Sequence, residues 1–139
     1  MVNRLPLFML ACLPFSSTAQ PSDSVIMTCH KTSENHVQVT ACLDNHWQLA
    51  QKQLDKTVTL LNAHFTKLDE ISSISSAVKS AEFMVTRFNV WREAQCKMVE
   101  ASYASGSGSG QGYLSCMIEL TQEQVGRLND VMGIKENAQ

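Results

Sequence analysis

A long stretch of this chain contains no residue that breaks a helix. All three prolines lie at or before residue 21 and all six glycines at or after residue 106, so backbone chemistry allows helix throughout residues 22–105. Apolar residues early in this stretch are spaced by three or four, as on one face of a long helix. They are Leu43, Trp47, Ala50, Leu54, Val58, Leu61, Phe65 and Leu68. We expect this helix to start with Thr32 or Ser33 as its cap and Glu34 at the positive end of its dipole.

Two further helices are predicted. The serine-rich segment Ile71–Ser76 favours a short turn, since serine hydroxyls compete for nearby backbone groups. The next helix should therefore run antiparallel to the first and end near Ser102. Ser105–Gly112 is of low complexity and predicts a flexible connection to a third helix, which should end near Gly133. The expected fold class is all-α, an antiparallel three-helix domain. The apolar faces predicted for the second and third helices are Val78, Ala81, Met84 or Val85, Phe88, Trp91 and Met98 or Val99, then Leu114, Met117, Leu120 or Thr121, Val125, Leu128 and Val131.

Residues 1–19 have the composition of a signal peptide. A short cationic start is followed by the apolar stretch Leu5–Phe15 and by the small residues Ser17, Thr18 and Ala19. We expect cleavage after Ala19, which leaves residues 20–139 as one domain that is periplasmic or secreted. A lipid anchor at Cys12 is the less favoured alternative, because only a short apolar segment would precede the cut. Beyond the leader, no segment is apolar enough to span a membrane stably.

Four cysteines remain after the leader: Cys29, Cys42, Cys96 and Cys116. An even number in a short exported chain predicts two disulfides. Cys96 and Cys116 are equidistant from position 106, so they should face each other across a helical hairpin. The pairing Cys29–Cys42 would then tie the N-terminal segment to the first helix. Cys42–Cys96 remains an alternative, since the start of the first helix adjoins the end of the second.

Charge and motifs argue against several classes of function. The formal net charge is -2, and -3 without Arg4 of the leader, so nucleic acid is a poor partner and a basic protein a better one. The four histidines stand in no metal-binding spacing, the chain has no nucleophile motif, and the mature cysteines serve better as disulfides than as thiolates. We therefore expect a binding protein without catalytic residues, metal or cofactor.

Two features are candidate partner-binding elements. Arg92 lies one helical turn from Cys96, and its simplest role is a salt bridge to Glu119 or Glu123. The Gly-Ser segment is either a slack connector or a contact loop, whose small residues let a partner approach and whose amides and hydroxyls can donate hydrogen bonds. The candidate loop residues are Ser105, Gly106, Ser107, Gly108, Ser109 and Gly110. The aromatic residues Trp47, Phe88 and Trp91, at helical spacing, are expected in the core.

The chain resembles the LprI-type lysozyme inhibitor family. The family shows an aromatic-Arg-Asp-Ala-Glu-Cys segment, a Gly-Ser stretch, and a later cysteine followed by Thr and Leu. It also shows an upstream cysteine pair about a dozen residues apart, followed by a Leu-Asn-like step. The counterparts here are Trp91–Cys96, Ser105–Gly112, Cys116, Thr121 and Leu128, with Cys29, Cys42 and Leu54-Asp55 upstream. The resemblance covers nearly the whole mature chain.

The resemblance implies an exported protein that inhibits a lysozyme or a related peptidoglycan hydrolase by occluding its cleft. The inserting element would be the Gly-Ser loop, with Arg92 supporting it. Two other functions remain open. One is an immunity protein against a cell-wall hydrolase toxin delivered by neighbouring cells, and the other is an envelope structural or stress module without an enzyme target. The oligomeric state does not follow from the sequence.

Overall fold

The computed structural model describes residues 23–134, and within that range every regular element is a helix. The predicted signal peptide (residues 1–19) and the predicted cleavage after Ala19 lie outside the described residues. Four helices follow one another along the chain: α1 (Val25–Thr32), α2 (His36–Ile71), α3 (Ala77–Ser102) and α4 (Ser109–Val131). The all-α prediction is confirmed, but the predicted number of three helices is wrong because α1 forms a separate short helix.

The start of the long helix also differs from its prediction. Thr32 is the last residue of α1, and Asn35 caps α2 by accepting a hydrogen bond from the backbone amide of Gln38 at 3.0 Å. The side chain of Gln38 reaches back to the amide of Glu34 at 2.8 Å, a reciprocal arrangement close to a capping box. Ser24 caps α1 in the same way through Met27. Cap-forming residues therefore occur at both helix starts, and the sequence pattern alone did not separate them.

The bundle is built from α2, α3 and α4, which run up, down and up. All three helices pack on one another, and α1 lies across α2 and α4. Two clusters of buried residues form the core, one toward each end of the bundle. The first contains Cys29, Val39, Leu43, Ala50 and Ile118, and the second contains Leu54, Leu61, Ala81, Val125 and Leu128.

The predicted inner face of α3 is only partly correct. Ala81 is buried and Phe88 packs against the second cluster, but Trp91 is 51% exposed. The side chain of Arg92 takes the inward position instead. Of the alternatives Met98 or Val99, Val99 is half-buried and Met98 is 60% exposed. Leu68 and Val131, near the ends of their helices, are also exposed. Among the helices of the described range, none combines the length and hydropathy that a membrane span requires.

Candidate functional site

Both disulfides lie at the same end of the bundle, where α2 and α4 begin and α3 ends. Cys29 pairs with Cys42 and Cys96 with Cys116, with Cα–Cα distances of 5.7 and 5.5 Å. The local pairing is confirmed and the alternative Cys42–Cys96 is wrong. The first disulfide ties α1 to α2, and the second ties the last turns of α3 to the first turns of α4. The Cys96–Cys116 disulfide therefore holds the two helices together close to the α3–α4 connection.

That connection is shorter and more ordered than the sequence predicts. The flexible segment Ser105–Gly112 was expected as a loop throughout, but α4 already begins at Ser109, and Gln111 and Gly112 are buried. Gln111 donates to the backbone oxygen of His36 at 3.1 Å and to the hydroxyl of Thr40 at 3.2 Å. These contacts with α2 stabilise the first turn of α4 despite its glycines.

Two residues of the remaining loop have strained backbones. Ala104 has φ 47° and Ser105 has φ 68°, a region that residues with a Cβ adopt at a cost. The turn is closed by hydrogen bonds from the amide of Gly106 to the Tyr103 oxygen at 2.8 Å and from the amide of Ser109 to the Gly106 oxygen at 3.1 Å. All residues from Ala101 to Ser107 are exposed. The structure therefore presents a short strained turn to solvent.

The ring of Tyr103 supports this turn from one side. It lies so close to Gly112 that a Cβ at that position would be 2.5 Å from a ring carbon. An alanine at position 112 would therefore displace the far end of this ring, and the half-exposed Tyr103 side chain has room to move. The sequence pattern predicts Gly112 in a flexible segment and indicates no role for Tyr103. The two residues lie close together in the sequence, but their contact depends on how α4 packs beside the end of α3.

In the first turn of α4 the amide of Ser109 already donates to the Gly106 oxygen, so the remaining backbone donors are the amides of the exposed Gly110 and the buried Gln111. Within the described residues, no side chain caps this helix, whose N-cap is Gly108. A helix start carries unpaired amides and a partial positive charge, which together favour a carboxylate or another anion. The hydroxyls of Ser105 and Ser107 add donors on the exposed side. The loop is therefore a surface of hydrogen-bond donors.

A charged cluster borders the loop on α3. The hydroxyl of Tyr113 donates to Glu93 at 2.6 Å, and the ammonium of Lys97 lies 4.7 Å from the centre of the Tyr113 ring. Lys97 also binds Glu100 at 2.9 Å. Partial burial, followed by the hydrogen bond to Glu93, raises the pKa of Tyr113 to about 12. Tyr113 is thus a neutral donor at physiological pH, and it links α4 to α3 beside the second disulfide.

Arg92 lies inside the bundle and not at the loop. It is 8% exposed and donates to the hydroxyl of Thr121 at 2.7 Å and to Asn89 at 3.1 Å. The guanidinium carbon is 5.2 Å from the ring centre of Trp47 and 5.1 Å from that of Phe88. The expected salt bridge to Glu119 or Glu123 is wrong, because Glu119 accepts from Ser115 and Glu123 pairs with Arg127.

Aromatic rings and neutral acceptors, and not a carboxylate partner, surround the guanidinium of Arg92. Burial lowers the pKa of Arg92, although nearby Glu93 and Tyr113 favour its charged form. Ten residues separate Arg92 from the end of α3, about 15 Å along the helix axis. The structure therefore does not bring Arg92 together with the Gly-Ser loop. Trp47 and Phe88 contribute to the core as predicted, through contacts with this cation.

One group of possible metal ligands occurs within the described residues. Ligand atoms of Cys29, Cys42 and His46 lie within 4.8 Å of one another. The two sulfurs are bonded to each other, and metal binding by cysteine requires the thiolate. In the disulfide form this group therefore offers His46 as its one effective ligand.

Comparison with known proteins identifies a family. The family model described as "Lysozyme inhibitor LprI" matches residues 29–128, a range that contains all four disulfide cysteines, Arg92 and the α3–α4 loop. No curated protein and no solved structure matches the chain. Since the matched range includes most of the chain and every element of the bundle, the protein belongs to the LprI lysozyme inhibitor family.

Proposed function

We propose that this protein is exported and inhibits a lysozyme or a related peptidoglycan hydrolase by inserting the segment Ser105–Gly110, which ends in the first two residues of α4, into the cleft of the enzyme. One observation carries the proposal: an exposed turn with two strained residues lies on a base fixed by the Cys96–Cys116 disulfide. Backbone strain persists only where the surroundings enforce it, and it concentrates at ligand-binding sites. A loop already held in one conformation loses little entropy on binding.

The chemistry of the loop suits the target. Glycoside hydrolases use two carboxyl groups on either side of the scissile bond. The amide of the exposed Gly110 at the start of α4 and the hydroxyls of Ser105 and Ser107 are donors that can pair with a carboxylate. The small side chains of the loop allow its backbone to approach the floor of a narrow cleft.

Overall charge acts in the same direction. The chain carries a formal net charge of -2 and would attract a basic lysozyme before contact. Such long-range attraction is screened by salt, so we expect the association rate to fall as ionic strength rises.

A cell-wall clearing assay with the oxidised mature protein and a panel of lysozymes tests the function. We expect inhibition of at least one lysozyme. The variant Ser107→Trp, which adds a large side chain at the exposed turn, should weaken inhibition by about tenfold or more through steric exclusion. The matched control Ser73→Trp adds the same side chain to the exposed turn at the opposite end and should leave potency unchanged.

Two outcomes would contradict the proposal. Absence of inhibition at micromolar excess over every lysozyme would remove the function, and equal potency of Ser107→Trp and the parent would remove the loop from the interface. Export is tested separately by mass spectrometry of the protein recovered from the cell envelope. We expect a chain beginning at Gln20 with both disulfides formed. An unprocessed chain with four free thiols would contradict export.

A further inference from the structure

A cavity of about 340 Å³ lies between α2 and α3, away from the α3–α4 loop. Each helix contributes lining residues spaced by three or four, as neighbours on one helix face are. They are Gln51, Asp55 and Val58 of α2, and Val85, Asn89 and Arg92 of α3. Sites for small molecules have volumes of roughly 300–1,000 Å³, so this cavity suits a ligand of a few heavy atoms.

Arg92 brings a buried positive charge to this cavity. Its side-chain hydrogen bonds go to the hydroxyl of Thr121 and the amide oxygen of Asn89, both neutral. A guanidinium has five N–H donors, and in the part of the chain that the structure describes the Nε of Arg92 is buried without an acceptor. A buried arginine is normally paired with an anion. Arg92 therefore retains donors for a carboxylate, whose two oxygens match the planar guanidinium.

Asp55 brings a negative charge to the same cavity. Asp55 and Arg92 both line it, yet within residues 23–134 neither forms a salt bridge with the other or with any other charged residue. Asp55 is also exposed, so its carboxylate is accessible from solvent. Two opposite charges that share a cavity without pairing can bind one molecule that carries both charges.

The remaining lining is neutral and limits the size of such a molecule. Leu54, Val58 and Val85 are aliphatic, and Gln51 and Asn89 carry amide groups that can donate and accept hydrogen bonds. Aliphatic walls favour a small apolar side chain over a charged one. A free amino acid such as alanine or valine combines this side chain with a carboxylate and an ammonium group.

We propose that the cavity between α2 and α3 binds a small apolar amino acid as its zwitterion, with the ligand carboxylate on Arg92 and the ligand ammonium on Asp55. The site shares no residue with the α3–α4 loop, so it does not rest on lysozyme inhibition. Because the ligand is small, we expect a dissociation constant between about 10 µM and 1 mM.

NMR titration of the oxidised protein with free alanine and free valine tests the site. The Nε–H resonance of Arg92 should shift on binding, because the ligand carboxylate joins the same guanidinium. Alanine methyl ester lacks the carboxylate and should bind at least about tenfold more weakly, since Arg92 is buried. N-acetylalanine lacks the ammonium and should bind about three- to fivefold more weakly, since Asp55 is exposed.

Two variants assign the charges. Arg92→Met keeps the stem of the side chain and removes the partner of the carboxylate, so binding of free alanine should fall at least about tenfold. Arg87→Met is the matched control, since Arg87 lies on the same helix against Phe83 and does not line the cavity. It should leave binding unchanged. Circular dichroism checks that both variants remain folded.

Asp55→Asn changes an exposed side chain of equal size, so it tests the site without a risk to the fold. Free alanine should bind this variant about three- to fivefold more weakly, and N-acetylalanine should bind it as it binds the parent. Equal weakening of both ligands would overturn the proposal. Absence of any shift at about 10 mM alanine or valine, equal binding of free alanine and N-acetylalanine to the parent, or unchanged binding in Arg92→Met would also overturn it.

Discussion

The two ends of the bundle are held together by different chemistry. At the loop end, two disulfides, the packing of Tyr103 on Gly112 and the hydrogen bonds of Gln111 fix α1 and the starts of α2 and α4. The opposite end, where α2 turns into α3, has no disulfide among the described residues. There, Asp69 accepts from the backbone amides of Ala77 and Val78 at 2.9 and 3.1 Å and caps α3 in place of Ser76.

The difference shows which end must keep its geometry. The turn Ile71–Ser76 is exposed and serine-rich, and noncovalent contacts are sufficient to join two antiparallel helices there. The loop end holds two residues in a left-handed conformation, which would relax without support. Covalent cross-links are therefore found beside the strained loop and not beside the relaxed turn. Variants that act on one end at a time test this comparison.

Removing the second disulfide should have the largest effect. The double variant Cys96→Ala with Cys116→Ala frees a loop of 20 residues and should lower the free energy of unfolding by about 3 kcal/mol. Denaturant unfolding measures this loss. Hydrogen exchange should accelerate first in the last turn of α3 and the first turn of α4. Equal acceleration at both ends would contradict the comparison.

Replacing the buried cation should have the next largest effect. Arg92 lies between Trp47, which packs on the first core cluster, and Phe88, which packs on the second. Arg92→Ala leaves a cavity and removes the guanidinium donor from the Thr121 hydroxyl, which keeps its own bond to the Met117 oxygen, and should cost about 2 kcal/mol. Arg92→Met keeps the stem between the rings and should cost less than about 1 kcal/mol. If Arg92→Ala and Arg92→Met lower the stability equally in thermal or chemical denaturation, then hydrogen bonding, and not packing, joins the two core clusters.

A single methyl group should loosen the loop with a smaller effect on overall stability. Gly112→Ala forces the Tyr103 ring away and should cost about 1 kcal/mol, since an exposed ring can move. Gly126→Ala is the matched control in α4. It meets nothing within 4 Å and should raise stability by up to about 1 kcal/mol. Unfolding curves and Tyr103 fluorescence report the two effects, and an unchanged ring environment in Gly112→Ala would contradict the predicted contact.

Acid should weaken the other end selectively. The hydrogen bonds from Ala77 and Val78 hold the pKa of Asp69 below its ordinary value of 3.8. A group with a lowered folded pKa stabilises the protein above its unfolded pKa, and the contribution disappears as the pH falls through the folded value. Asp69→Asn should therefore lower the melting temperature at pH 7, and its difference from the parent should shrink as the pH falls below 3.8. Glu70→Gln removes a charge at the adjacent position and is the control. A deficit independent of pH would contradict the role of the carboxylate.

Much of the helical fold could be predicted because helix formation depends on local patterns. Three such signals depend only on residues close together in the chain. They are the absence of Pro and Gly from residues 22–105, the spacing of Leu43, Leu54 and Leu61, and Gly133 after the last helix. The disulfide pairing followed from the symmetry of the hairpin. The predictions failed where two local signals competed. Thr32, Ser33 and Asn35 are all cap residues, and α1 was missed because a short helix leaves a weak periodic signal.

The sequence by itself predicted three of the four helices, the turn after α2 and the favoured cysteine pairing, with Cys42–Cys96 left as an alternative, because each of these depends on residues close together in the chain. Only the tertiary structure decided which face of α3 is buried, that Arg92 binds Thr121 between two rings, and that half of the Gly-Ser segment is helical. These outcomes depend on contacts between residues far apart in the chain, such as Gln111 with Thr40. A glycine-rich segment lacks helical propensity, and the energy that orders it comes from the helix against which it packs.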